Sequence, residues 1–154
     1  MKTIKNIFII LSCVFMFTAC ENTNKTKKNT TNDAVISYKI AKNYFVKNTV
    51  DEIENPKITS QEDFDEIFGM ATTMGEDGKP TSIDFSKEFV IAVILPETDI
   101  STELQPIDLI ENEKNNLIFT YKKEEGEKLS HTIKPALILI VDNNHKGEVT
   151  LKEE

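Results

Sequence analysis

Two continuous apolar runs restrict the fold of this chain more than any other feature. They lie at residues 89–95 and 136–141, and neither contains a polar side chain. Runs of this length favour strands that are covered on both faces, because a strand with one wet face alternates apolar and polar residues. Pro96 ends the first run. The two runs therefore predict strands that are packed on both sides.

The segments that flank these runs carry the patterns of further strands. Residues 35–40 and 43–47 are rich in β-branched and aromatic residues, which predicts one long or interrupted strand before a loop at 48–56. Residues 147–152 follow the second apolar run. We expect them to return beside that run or along the edge of the sheet.

The region between the two runs predicts a hairpin. Residues 104–110 alternate, residues 113–116 suit a turn, and alternate residues of 117–121 are apolar and share one face. The acidic run at 124–127 predicts a solvated turn or bend before a last short strand at 129–133.

One segment has helical periodicity. Ser60 suits an N-cap, and acidic residues follow in the first turn. The apolar residues at helical spacing are Phe64, Ile67, Phe68, Ala71 and Met74. Gly75 is the expected C-cap, with Gly69 as an earlier alternative. We expect the apolar stripe to lie on the sheet.

Together these elements predict an α+β domain at residues 34–154 with seven or eight strands and one helix. We expect a mainly antiparallel, twisted sheet or a partly open β-barrel that the helix covers or plugs. A domain of this length has room for a core without disulfides or metals.

The N-terminus carries a secretion signal. Lys2 and Lys5 precede an apolar run at 7–19, which is too short to span a bilayer as a helix. Small residues stand directly before Cys20, as in the lipobox of bacterial lipoproteins. This resemblance predicts a signal peptide at 1–19 and lipidation of Cys20. The alternative is an ordinary secretory signal that leaves Cys20 as a free thiol.

A polar tether is predicted after the lipidated cysteine. Residues 20–33 contain no aliphatic or aromatic side chain and cannot build a core. Residues 21–33, fully extended, reach about 45 Å. We therefore expect a protein of the cell envelope whose lipid holds it to a membrane, the outer rather than the inner one. The sequence leaves the periplasmic and the surface face equally open.

The charge of the chain argues against nucleic acid as a partner. The formal net charge is −8, and the loss of Lys2 and Lys5 with the signal makes it about −10. Such a surface repels phosphate backbones. All 18 basic residues are lysine, so the bidentate arginine clamp for phosphate or carboxylate is absent.

Few residues suit catalysis. Ser130 and His131 are adjacent, so a strand directs their side chains to opposite faces and prevents a hydrogen bond between nucleophile and base. His145 lies in a predicted exposed turn. The sequence contains no phosphate loop, dinucleotide fingerprint, serine elbow or zinc spacing. We expect no enzyme, no cofactor and no metal site.

Two predicted loops combine features that suit contact with a partner. The first, residues 70–80, pairs adaptable methionines with a flexible turn, and the second, residues 97–102, follows a buried strand. The candidate partner-binding residues are Met70, Met74, Glu76, Asp77, Lys79, Glu97, Thr98 and Asp99. The alternatives are that both methionines fill the core and that the second loop is a plain connection.

Three short segments resemble known sequences. They are ITSQEDFDEIFG at 58–69, IDFSK at 83–87 and TIKP at 132–135. In this order they resemble small lipoproteins of Bacteroides-type bacteria and, more distantly, the C-terminal domain of the protease-complex subunit PrcB, over residues 43–152. The resemblance implies a non-enzymatic accessory of an envelope protease. The PrcB-like pattern has a glycine-rich stretch where this chain has residues 96–102.

Three functions follow from these observations. The leading hypothesis is a lipid-anchored binding protein that regulates, stabilises or inhibits a protease. The second is a structural or adhesive envelope module that binds glycan or another surface protein. The third is a hydrolase that uses His131 with a distant acid.

Overall fold

The structure is a computed structural model that describes residues 33–72, 74–75 and 78–154. The signal peptide, Cys20 and residues 21–32 of the predicted tether lie outside these residues. The strands are β1 (Ala34–Val35), β2 (Tyr38–Ile40), β3 (Tyr44–Val46), β4 (Lys57–Ile58), β5 (Phe68–Met70), β6 (Glu88–Ile94), β7 (Thr98–Glu111), β8 (Leu117–Ile133), β9 (Ala136–Asp142) and β10 (Val149–Glu153), and the helix α1 is Gln61–Ile67.

The described strands form three sheets. The central sheet has the order β2-β9-β6-β4, the front sheet has the order β1-β7-β8-β10, and β3 and β5 form a small sheet. All pairs are antiparallel except β8 and β10, which run parallel. The predicted α+β class with a mainly antiparallel sheet is confirmed, and the described strands do not close a barrel.

The two middle strands of the central sheet, β6 and β9, are buried on both faces, as the two apolar runs predict. On one face Phe89, Ile91 and Leu139 pack against Leu109 and Phe119 of the front sheet. The other face packs against α1 and the small sheet, and its core residues include Val90, Ala92, Ile138, Ile140, Phe64, Val46 and Phe68. Alternate side chains of each central strand therefore enter two different cores.

One long hairpin provides most of both large sheets. In the central sheet, β6 pairs with β9 up to Ile94 and Ala136, and the Leu95 amide then donates to the Pro135 carbonyl oxygen at 2.9 Å. Pairing resumes in the front sheet between Thr98 and Ile133. The hairpin that begins in the central sheet thus continues into the front sheet, and the two sheets pack face to face.

The helix is shorter than the sequence predicts. Ser60 is the N-cap, and its hydroxyl oxygen accepts a hydrogen bond from the Asp63 amide at 3.1 Å. The helix ends at Ile67, so both predicted C-caps, Gly69 and Gly75, are wrong. Residues 68–70 extend instead as β5, because this strand pairs with β3 and buries Phe68 in the core. Tertiary pairing overrides the local helical pattern here.

The predicted bend at 124–127 is also wrong. These residues lie inside β8, which continues through them because β7 pairs with this stretch as well. The predicted turn at 113–116 is confirmed, with Asn115 at a φ of 58°. The last strand, β10, lies at the edge of the front sheet beside β8 rather than beside β9.

Candidate binding surfaces

The first predicted loop exposes both of its methionines. Met70 at the end of β5 is 65% exposed, and Met74 is fully exposed. The alternative that the two methionines fill the core is therefore wrong. Phe45 of β3 is 51% exposed, and its ring lies across Gly69 of β5. We call Phe45, Met70 and Met74 the small-sheet surface.

The segment beside this surface is held by hydrogen bonds to β3 and the residue before it. The Asn43 side-chain amide donates to the Lys79 carbonyl oxygen at 2.8 Å, and the Tyr44 hydroxyl donates to the Thr81 carbonyl oxygen at 2.7 Å. Burial raises the pKa of Tyr44, and the nearby Asp65 carboxylate adds to this rise. Of the predicted partner-binding residues, Glu76 and Asp77 lie outside the described residues.

The second predicted loop is mostly strand. Thr98 and Asp99 belong to β7, and only Glu97 precedes it. Asp99 forms an ion pair with Lys128 of β8 at 2.9 Å, and the Thr132 hydroxyl donates to the Glu97 carboxylate. The pairing with β8 explains the difference. On a solvent-exposed two-stranded ribbon most side chains are polar, so the sequence lacks the apolar alternation that would reveal a strand.

Glu97, Thr98 and Asp99 begin an exposed ribbon that we call the arm. The arm comprises residues 98–105 of β7 and the opposing residues 122–133 of β8. Within residues 122–133 all side chains are exposed except those of Lys123, Leu129 and Ile133, which are half-buried. The pairing is irregular, with register shifts between Thr98 and Thr102.

Both edges of the arm lack a further strand among the described residues. On the β7 side, β1 reaches only Ile110 and Glu111. On the β8 side, β10 pairs no further than Tyr121, whose carbonyl oxygen accepts from the Glu154 amide at 2.9 Å. A two-stranded ribbon with two open edges presents rows of unpaired backbone donors and acceptors, to which another chain can add a strand.

The lysines of the arm form ion pairs with its acids. Lys122 lies 2.5 Å from the Glu124 carboxylate, and Lys123 lies 3.1 Å from that of Glu125. The hydrogen bond to Glu125 raises the pKa of Lys123. Glu103 and Glu127 form no ion pair in the described part of the chain. The uncompensated charge of the arm is therefore negative.

The two histidines differ in their surroundings. The predicted exposure of His145 is wrong, because its side chain is only 29% exposed and its Nδ1 lies 2.8 Å from the Glu111 carboxylate. This contact joins the turn before β10 to the end of β7. His131 is exposed in the arm, and within the described ranges it has no hydrogen-bonded acid.

Lys57 contacts the turn before β10 and has a structural role there. Its ammonium donates to the Gly147 carbonyl oxygen at 2.8 Å and lies 4.3 Å from the centre of the Phe89 ring. Burial lowers the pKa of Lys57, and the nearby charge of Lys146 lowers it further. The backbone carbonyl and the aromatic face thus hold this cation in place and fix β4 to the turn.

Within residues 33–72, 74–75 and 78–154, no group of three or more acidic, histidine or cysteine side chains is arranged to hold a metal ion. Likewise, none of the helices in these ranges has the length and apolar character needed to cross a membrane.

Comparisons of the chain with protein-family models, curated proteins and solved structures found no significant match. The resemblance to small lipoproteins and to the PrcB domain stays a prediction.

Proposed function

We propose that this protein is a lipid-anchored envelope protein that binds a partner protein through its arm, and that the partner is a protease which it regulates, stabilises or inhibits. The observation that carries the proposal is the arm itself, an exposed ribbon whose two edges have no strand partner among the described residues. Cys20 supplies the anchor and residues 21–33 supply the tether.

The arm has few of the features that stabilise an ordinary surface hairpin. Isolated two-stranded ribbons are marginal in water, and three strands or a covered apolar face usually stabilise them. Here only Ile100, Leu104, Leu129 and Ile133 provide partly buried apolar side chains, of which Leu104 packs against the core, and most of the remainder is charged or polar. Retaining such a ribbon next to a well-packed core is consistent with a binding role.

A protease suits this geometry because extended peptides are commonly recognised by strand pairing, with backbone hydrogen bonds giving affinity. The resemblance to a protease-complex accessory points to the same class of partner. The small-sheet surface is a second contact region in this proposal, since Met70 and Met74 are exposed and adaptable.

Affinity purification of the crosslinked full-length lipoprotein from its own envelope tests the proposal. The arm variant carries Glu103→Lys with Glu127→Lys, and the matched control carries Glu52→Lys with Glu113→Lys, which change the same charge at exposed sites outside the arm. A third variant replaces residues 70–80 with glycine and serine. We expect a peptidase that the wild type and the control enrich and the arm variant loses. Identical protein sets from all four, or enrichment of polysaccharide alone, would overturn the proposal.

A further inference from the structure

We infer that the open edge of β8, at residues 122–132, accepts an extended lysine- or arginine-rich segment of the partner protein as an added strand. The inference rests on the proposed function and specifies how its partner binds. The edge begins where β10 stops, directly after the hydrogen bond from the Glu154 amide to the Tyr121 carbonyl oxygen. An added strand there extends the row that β10 begins.

The β8 edge suits strand addition better than the β7 edge. The open stretch of β7 is shorter, residues 98–105 against 122–132 of β8, and it ends at Pro106, which has no backbone amide proton to donate. Residues 122–132 contain no proline. Each backbone hydrogen bond that an added strand gains contributes a small net stabilisation, so a run of several provides useful affinity.

The charges of the arm select the chemistry of the added strand. Lysines on an edge strand commonly discourage pairing with another chain. Here Lys122, Lys123 and Lys128 each form an ion pair with an acid of the arm. The remaining charges are those of Glu103 and Glu127 together with Glu97 at the base of the arm. These acids attract a basic strand and repel an acidic one.

Hydrogen exchange on the full-length lipoprotein in detergent micelles tests the inference, with a synthetic peptide of five Lys-Thr repeats as the probe. We expect the amides of residues 122–133 to exchange roughly tenfold more slowly with the peptide bound. A Glu-Thr peptide, and a Lys-Thr peptide with proline at its centre, should give no protection. Equal protection by either control peptide, or no change at these amides, overturns the inference.

Two sets of variants separate charge from backbone pairing. Glu103→Lys with Glu127→Lys should abolish the protection, whereas the control pair at Glu52 and Glu113 should keep it. Successive amides of a strand point to opposite edges. Tyr121 faces the open edge, because its carbonyl oxygen accepts from the Glu154 amide, and Lys123 lies two residues further along β8 in regular pairing. Lys123→Pro therefore removes a donor of the open edge and leaves the β7 pairing intact, whereas Glu124→Pro removes a donor to β7. Lys123→Pro should keep its thermal unfolding midpoint and lose the protection, and retained protection in this variant overturns the inference.

The remaining outcomes distinguish this inference from the proposed function. Residues 22–32 of the same chain carry Lys25, Lys27 and Lys28 and no acid. If changing these lysines to glutamine speeds exchange at 122–133 without any peptide, the chain's own tether occupies the edge and the inference is wrong. If Lys123→Pro still captures the envelope peptidase, strand addition is wrong and the proposed function survives. Peptide protection without any arm-dependent peptidase overturns the proposed function alone.

Discussion

At Gly147 the backbone of one turn contacts the backbone of another. A Cβ atom at this position would stand 1.7 Å from the Asn115 carbonyl oxygen and 2.8 Å from its carbonyl carbon. Backbone atoms cannot move aside as a flexible side chain can. The residue is glycine because the turn before β10 lies against the hairpin turn of the front sheet.

Gly147→Ala should therefore lower the free energy of unfolding by about 1–3 kcal/mol, the usual cost of forcing extra atoms into a packed site. Gly126→Ala is the matched control, because its added Cβ meets Ser101 at an ordinary 3.4 Å. We expect the control to change stability by less than about 0.5 kcal/mol. Urea denaturation of the two variants measures the difference, and equal losses would contradict the packing described here.

Asp84 gives the chain a defined response to acid. Hydrogen bonds from the Lys87 ammonium and from the Ser86 hydroxyl and amide lower the pKa of Asp84 to about 2. A carboxylate whose pKa is lower in the folded state stabilises the fold above its unfolded pKa, and this contribution is lost as the pH falls towards 2. The wild type should therefore exceed Asp84→Asn in urea midpoint at pH 6, and the difference should be much smaller at pH 2, where Asp84 is about half protonated in the folded state. A difference that is the same at both pH values would show that Asp84 does not act through its charge.

Among the elements, the small sheet has Phe45 and Gly69 as its central pair of residues. Phe45 lies across Gly69, and a Cβ at Gly69 would stand 2.4 Å from the tip of the Phe45 ring. Gly69→Ala must displace the ring, whereas Gly69→Ala in a Phe45→Ala background meets no such obstacle. The double-mutant cycle should give a coupling energy of about 0.5–3 kcal/mol. If the two substitutions change the free energy of thermal unfolding additively, the Phe45 ring does not lie across Gly69.

The same elements explain which parts of the fold the sequence could reveal. A run such as residues 89–95 has only one favourable environment, a strand covered on both faces, and β6 is buried as expected. The sequence of the arm shows no comparable pattern, because charged side chains on a solvated ribbon are as compatible with a loop as with a strand. Hence the sequence predicts a loop at 97–102 and a bend at 124–127, although residues 98–102 and 124–127 lie in strands. The predicted end of the helix is wrong for another reason. The strand β5 pairs with β3, which lies more than 20 residues earlier, and local periodicity does not reveal such a pairing.

The candidate site could be predicted only in part. Met70, Met74 and Lys79 can be singled out from the local sequence, because they lie in a segment after the helix that pairs methionines with turn residues, and the two methionines prove exposed. The open edges of the arm could not be predicted from the sequence, because whether an edge is paired depends on which strands lie beside it in the fold. The contact between His145 and Glu111 spans 34 positions and likewise carries no local pattern.

At the scale of the whole molecule, the hairpin from β6 to β9 contains both the core strands and the arm that we propose as the binding region. The strands β6 and β9, together with the parts of β7 and β8 next to the turn at 113–116, bury the core side chains, including Phe89, Leu109 and Phe119. The middle portion of the hairpin, the arm, leaves the core and exposes both edges. Charge changes in the arm should therefore alter binding without unfolding the domain, which makes the arm accessible to experiment.

The peptidase activity of envelope membranes tests the central claim most directly. Casein hydrolysis would be compared among cells with the wild-type protein, no protein, the Glu103→Lys and Glu127→Lys variant, and the Glu52→Lys and Glu113→Lys control, at matched protein levels. We predict that the arm variant gives the rate of cells without the protein, whereas the control gives the wild-type rate. Equal rates in all four strains would contradict a protease partner, and an arm variant that matches the wild type while the deletion differs would remove the arm from the account.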